Sequence, residues 1–297
     1  MKPHAIKLFG FILFFILNNS VFGQDNSETN LQIKDKVPSY FSLSLGFIND
    51  AVFLGRKDSI SAPYLYPSIS YYNKSGFYAT GSFSYLTKSN ESRIDLFLGT
   101  VGYDFAIKKF DGDISFTKYF FNSDSYNVIA EVEADITAMF SYDFNIINLA
   151  ASATTFFNTN GKVDIILSSE ISHDFITKNQ KIQISPTIGV FFGSQNFYEE
   201  YYINTRLGSR KGSGSGHGTG GTTITETTVV LNESEKFDLM AFEFSLPIWY
   251  IHKPFAITFL PVWAIPKTPA TLTAEDVIYE EDLENSFYWL IGASYTF

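Results

Sequence analysis

The feature that most constrains this chain is a two-residue alternation. Bulky apolar side chains alternate with small or polar ones from near Tyr40 to the last residue. In the final stretch Phe287, Trp289, Ile291, Ala293, Tyr295 and Phe297 share one parity. Ser286, Gly292, Ser294 and Thr296 share the other, with Tyr288 and Leu290. Successive side chains of a strand point to opposite faces, so such a segment is a strand with one apolar and one polar side. The pattern recurs in Phe41-Leu43-Leu45-Phe47, from Val128 to Ala138, in Val163-Ile165-Leu167-Ile171, in Ile182-Ile184-Ile188-Val190, in Phe242-Phe244-Leu246-Ile248 and in Phe255-Ile257-Phe259-Trp263. It predicts twelve strands, near 40–48, 64–72, 77–86, 93–105, 113–121, 127–140, 145–157, 162–174, 181–193, 237–250, 254–265 and 286–297. Counts of about 10–14 also fit the spacing. The phase slips in 93–105 and 113–121, where strict alternation turns Lys118 toward the apolar side, so a bulge is expected there.

Composition narrows the environment. The chain has 297 residues, 31 Phe, 18 Tyr and no Cys, and its 21 Lys+Arg against 31 Asp+Glu give a net charge of −10. Without Cys there is no disulfide scaffold and no zinc–thiolate site. A nucleic-acid partner is not expected at this negative charge. A soluble lipocalin-like barrel or sandwich buries its bulky face inward. Here the bulky face on most strands stands opposite Ser, Thr, Gly, Asp and Glu, which suits lipid outside and water inside. The expected fold is all-β, a transmembrane antiparallel up-and-down barrel.

Residues 1–23 read as a secretory leader, with Lys2 and Lys7 before an apolar core from Leu8 to Leu17, and small Ser20 and Gly23 before a cut at Gln24. Residues 24–39 form a polar lead-in and 40–297 the barrel. The turns 73–76, 106–112, 141–144, 175–180 and 251–253 fall on one rim, and the longer 49–63, 194–236 and 266–285 fall on the other. Short periplasmic turns and long extracellular loops have this asymmetry. The last strand resembles the C-terminal signal of Gram-negative outer-membrane β-barrel proteins, through Phe297, Tyr295, Ile291 and Trp289. That resemblance implies an outer-membrane location, contact with lipid and lipopolysaccharide, and recognition by the barrel-insertion machinery. It reaches no subfamily.

The polar face carries the candidate site. Glu131, Glu133 and Asp135 lie on one strand, Asp164 and Glu170 two strands on, and Glu243 two further, with Arg93 and Lys181 as the basic residues placed inside. An acidic aqueous wall concentrates cations. The leading expectation is a porin-like passive channel for small cationic or neutral solutes, with Glu133, Asp135, Glu170 and Glu243 at mid-height. The same acids could instead only brace the wall. In a second reading the barrel does not transport, and its 194–236 loop binds a partner protein, glycan or surface layer. In that loop FYEEYYINTRL (197–207) and TTITETTVVL (222–231) are β-prone and flank a Gly-rich tip at 208–221, so two strands are expected to continue outward as a hairpin. The 266–285 loop is acidic, but its spacing is not that of a calcium-binding loop. No cofactor or metal is implied. A minor third reading is an outer-leaflet lipid hydrolase. The tempting Ser172-His173-Asp174 run does not supply its triad, because adjacent strand residues point apart. Tyr64, Tyr66, Tyr71, Tyr72, Tyr198, Tyr201, Tyr202, Trp249, Trp263, Tyr288 and Trp289 are expected in interfacial girdles.

Overall fold

A computed structural model describes residues 38–58, 60–201, 230–232, 234–274 and 277–297. The leader, most of the lead-in and the Gly-rich tip lie outside the described residues. In chain order the elements are β1 (Tyr40–Ile48), β2 (Val52–Phe53), β3 (Arg56–Lys57), β4 (Tyr64–Tyr72), β5 (Phe77–Leu86), β6 (Arg93–Ile107), β7 (Phe110–Phe121), β8 (Val132–Asp143), β9 (Asn148–Asn158), β10 (Val163–Ser172), β11 (Phe175–Ile176), β12 (Ile182–Ile184), β13 (Thr187–Gly193), α1 (Asn196–Tyr201), β14 (Val230–Asn232), β15 (Asp238–Ser245), β16 (Ile248–His252), β17 (Phe255–Pro266), β18 (Thr271–Ala274), β19 (Val277–Glu280) and β20 (Ser286–Thr296).

Each wall strand pairs antiparallel with its neighbours in sequence, and β20 pairs with both β17 and β1. The sheet therefore closes on itself as a twelve-stranded barrel. Three wall strands are each made of two pieces, β10 with β11, β12 with β13 and β15 with β16, the break in the first facing Pro186. The breaks fall at Pro186 and Pro247, where the missing N–H interrupts the ladder. The backbone stays stitched there, because Ser185 N donates to the Pro247 carbonyl at 3.0 Å and His173 N to that of Pro186 at 3.3 Å.

The alternation becomes two surfaces. Leu43, Ile69, Phe97, Ile114, Ile165 and Phe259 point outward and are exposed, while Ser68, Thr100, Thr117, Thr154 and Ser168 point inward and are buried. Inward hydroxyls bridge neighbouring strands: Ser70 with Thr80 at 2.8 Å, Thr100 with Thr117 at 3.1 Å, Thr137 with Thr154 at 2.8 Å and Ser152 with Ser168 at 2.7 Å. A closed ring leaves no strand edge unpaired in lipid, and an apolar exterior with a polar interior is the membrane arrangement.

Three register slips re-aim side chains near one end, at Asp95 in β6, around Glu133 in β8 and at Met240 in β15. The first is the bulge expected in 93–105; β7 runs without one. Lys118 does face outward, and Glu133 stands beside it at 3.0 Å. A half-exposed pair of this kind contributes little, so Glu133→Gln should change the urea unfolding free energy by under about 1 kcal/mol. The segment 127–131 is turn rather than strand, and Val128, expected outside, is buried inside with Ile129.

The connections 73–76, 108–109, 144–147, 177–181 and 253–254 lie at the end that carries Tyr40 and Phe297, here the turn end. Aromatic rings crowd its outer surface: Phe41 with Tyr71 at 4.8 Å, Phe77 with Tyr103 at 4.9 Å, Phe255 with Tyr295 at 4.9 Å and Tyr295 with Phe297 at 4.8 Å. Phe297 and Ile291 are exposed, Trp289 faces outward with them, and Phe297 N donates to the Phe41 carbonyl at 2.9 Å. The girdle expectation fails for Tyr64, Tyr66, Tyr72, Trp249 and Tyr288, which are buried on the inner face. At the other, loop end, Asn196–Tyr201 is helical rather than an extended strand, and β14 pairs with β18, which pairs with β19. Most of the expected hairpin, 202–229, lies outside the described residues; its described ends are this helix and a strand of a small sheet drawn from two loops.

Candidate functional site

The lumen acids do not form one charged lining. Asp95 accepts from Tyr64 and from Arg93 Nε at 2.6 Å. Asp113 accepts from the Tyr78 hydroxyl at 3.3 Å. Tyr78 reaches it by lying flat over Gly102, where a Cβ would stand 2.5 Å from the Tyr78 ring. Asp135 accepts from Tyr119 at 2.8 Å and from Thr137 at 2.9 Å. A carboxylate so bonded acts first as a brace of the wall.

Asp164 is more deeply engaged. It is fully buried and accepts from Asn158 Nδ2 at 2.7 Å, Ser194 Oγ at 2.6 Å, Asn196 N at 2.8 Å, Asn196 Nδ2 at 3.0 Å and Phe197 N at 2.8 Å. It therefore fixes the first turn of α1 to the head of β10, satisfying backbone donors that a helix start leaves open.

Four predicted pore residues are not in the lumen. Glu133 is on the outer face, because the slip in β8 turns it out. Lys181 is exposed in the turn before β12. Arg93 sits at the loop-end rim, where its Nη2 donates to the Asp124 carbonyl and its guanidinium lies 5.1 Å from the Tyr126 ring centre. Glu131 is also at that rim, accepting from Thr159 at 2.9 Å. Nearby Glu91 is held below the usual carboxylate range, chiefly by the hydrogen bond from the Tyr126 hydroxyl.

Glu170 and Glu243 remain. Both are buried on the inner face, in one cross-strand row with Gly189 between them. Gly189 itself carries no side chain, and the buried Phe191 ring leans over it, 3.0 Å from where a Cβ would stand. The Oε2 atom of Glu243, the hydroxyls of Tyr66, Ser68, Ser82 and Tyr288 and the Trp249 indole nitrogen make no hydrogen bond to the described residues. Buried polar groups left by their own wall are those a hydrated interior serves.

The loop end is built differently. Two clusters of buried apolar side chains fill it, and together they draw on every wall strand, from Ile48 of β1 to Leu290 of β20. The connection 49–63 folds inward and completes them. From its tip Phe53 reaches Phe156 of β9 at 5.9 Å and Phe197 of α1 at 5.3 Å. Val128, Ile129 and Tyr126 enter from the connection 122–131. Burying each large apolar side chain contributes about 1.5–3 kcal/mol. Sequence reasoning missed this plug. Its only signal was Ala51-Val52-Phe53-Leu54, an apolar run inside a loop.

A closed antiparallel barrel with an apolar belt, an aromatic girdle and a polar core has one stable solvent arrangement. The fold is a membrane-spanning β-barrel. Solved structures with a similar course include "KdgM porin" (8% identity, TM-score 0.47, covering 86% of this chain and 99% of that one), the NanC porin (11%, 0.43, 86% and 98%) and "LpxR from Salmonella typhimurium" (9%, 0.44, 86% and 99%). Likeness at this level carries nothing about solute or reaction. No protein-family model matches the sequence, and no curated protein matches it.

Ser172, His173 and Asp174 lie at the turn end of the wall with separate partners. The His173 ring bonds the Ile146 carbonyl and packs against Phe175 at 4.4 Å. Asp174 accepts from Asn148 at 2.7 Å, Gln183 at 3.2 Å and Ser185. Among the described residues no group of three His or carboxylates converges as a metal site.

Proposed function

We propose that this outer-membrane barrel is a channel for small cationic or neutral solutes, with its loop end outward and with Glu170 and Glu243 biasing it toward cations. The observation that carries this reading is the Glu170–Gly189–Glu243 row. It places two buried carboxylates at one level of the inner wall, on the two strands that flank Gly189. In a confined space, carboxylates on the wall raise local cation concentration to the extent that they ionise. The test is solute efflux from proteoliposomes loaded with arginine or with glutamate. The native barrel should release arginine faster. Glu243→Gln with Glu170→Gln should shrink the preference on the order of tenfold, and Glu133→Gln should leave it unchanged. Equal release of both solutes by the native barrel contradicts the proposal.

A second reading, binding of an external partner, is favoured by one feature. The β14-β18-β19 sheet is separate from the wall and drawn from the two longest loops. Removing 202–229 should abolish such binding and leave arginine efflux intact if the two roles are separate.

A further inference from the structure

The geometry points to the connection 49–63 as a latched plug: a folded unit that closes the outer mouth and is held shut by Arg56. This rests on the channel reading above. The unit is tied within itself. Asp50 Oδ1 accepts from Ala62 N at 2.8 Å, Lys57 Nζ lies 3.6 Å from Asp50 Oδ2, and β2 pairs with β3. Its base is sewn to the wall, since Trp289 N donates to Asn49 Oδ1 at 2.6 Å and Asn49 N to the Trp289 carbonyl at 3.2 Å. The segment can therefore move as one body about that base.

The tip is held by hydrogen bonds to one neighbouring segment and by the Arg56 guanidinium over the Tyr198 ring of α1, 5.4 Å from its centre. Arg56 Nε lies 3.4 Å from Glu281 Oε2, and Nη2 donates to the carbonyls of Thr268 at 2.9 Å and Lys267 at 3.4 Å. Ser286 Oγ donates to the Gly55 carbonyl at 2.9 Å. Gly55 has φ +80°, and a Cβ there would meet Pro266 at 2.7 Å, so the tip seats tightly on the end of β17. The rest of the hold is apolar, through Phe53 and Leu54.

Arg56 is the release point because it alone carries the charged contact between the tip and that segment. The guanidinium is buried, its carboxylate contact is long, and Nη1 has no hydrogen-bond partner among the described residues. A buried charge with incomplete bonding regains hydration when it leaves. The closed state thus rests on apolar burial and on one arginine whose bonding is incomplete. An apolar seal also blocks ions, because a hydrophobic constriction excludes water.

The test compares single-channel current through the native barrel, Arg56→Gln and a variant with 52–57 replaced by a Gly-Ser turn, each shown folded by heat-modifiable gel mobility. The native barrel should be closed most of the time. The loop replacement should conduct steadily. Arg56→Gln should raise the open fraction roughly tenfold to a hundredfold, the range expected when charge-assisted hydrogen bonds are lost. A native barrel already conducting as fully as the loop replacement overturns the plug and leaves the channel reading standing. A folded loop replacement that passes no current overturns both. The chain has no Cys, so a single Phe53→Cys reports independently. Its labelling by a membrane-impermeant maleimide should accelerate in the Arg56→Gln background, and an unchanged rate contradicts the latch.

Discussion

Asp164→Ala is expected to destabilise the loop end by about 3–5 kcal/mol, because it strands several buried donors at once. The side chain is fully buried and accepts from the backbone of Asn196 and Phe197, from the Asn158 and Asn196 amides and from Ser194. Asn158, Ser194, Asn196 and Phe197 are themselves buried. The expected sign is a lower urea midpoint together with early proteolysis near α1. Asp164→Asn keeps one acceptor oxygen and should lose roughly half as much. Retention of native stability in Asp164→Ala would show that α1 is anchored by other means.

The second large effect is Phe53→Ala. Phe53 is buried between Phe156 and Phe197 at the centre of the mouth. Truncating a buried Phe costs about 3–5 kcal/mol in lost transfer free energy and cavity. Here the loss should fall on the docking of 49–63, because the wall ladders do not pass through Phe53. Hydrogen exchange at the 49–63 amides should therefore speed up by a factor on the order of 10² or more. Exchange in β4 to β9 should stay native. Faster exchange throughout the barrel would mean that the plug is part of the cooperative fold.

The barrel was legible in the sequence because lipid imposes a period of two on every wall strand, and Phe41 to Phe47 or Phe287 to Phe297 display it without interference. The alternation misleads where the backbone slips. At Glu133 one extra residue turned a supposed pore acid to the outside and brought it beside Lys118. The two irregularities that looked unrelated in sequence answer each other in space. Aromatic residues misled for another reason. Tyr66 and Tyr288 carry an apolar ring and a polar tip, so they suit a girdle and a lumen equally. The plug was illegible because it depends on a tertiary contact. Nothing local says that Phe53 meets Phe156, 103 positions away by subtraction of their numbers. Glu170 and Glu243 were found by parity alone, since no bulge intervenes between Gly189 and either neighbour.

The central claim is that this barrel holds a cation-preferring path. The reversal potential of the folded loop-replacement barrel in a planar bilayer, under a KCl gradient, tests it most directly. The account predicts a potential on the potassium side, moved toward zero by Glu170→Gln with Glu243→Gln and unmoved by Glu133→Gln. A potential on the chloride side, or one indifferent to the two lumen glutamates, would contradict it.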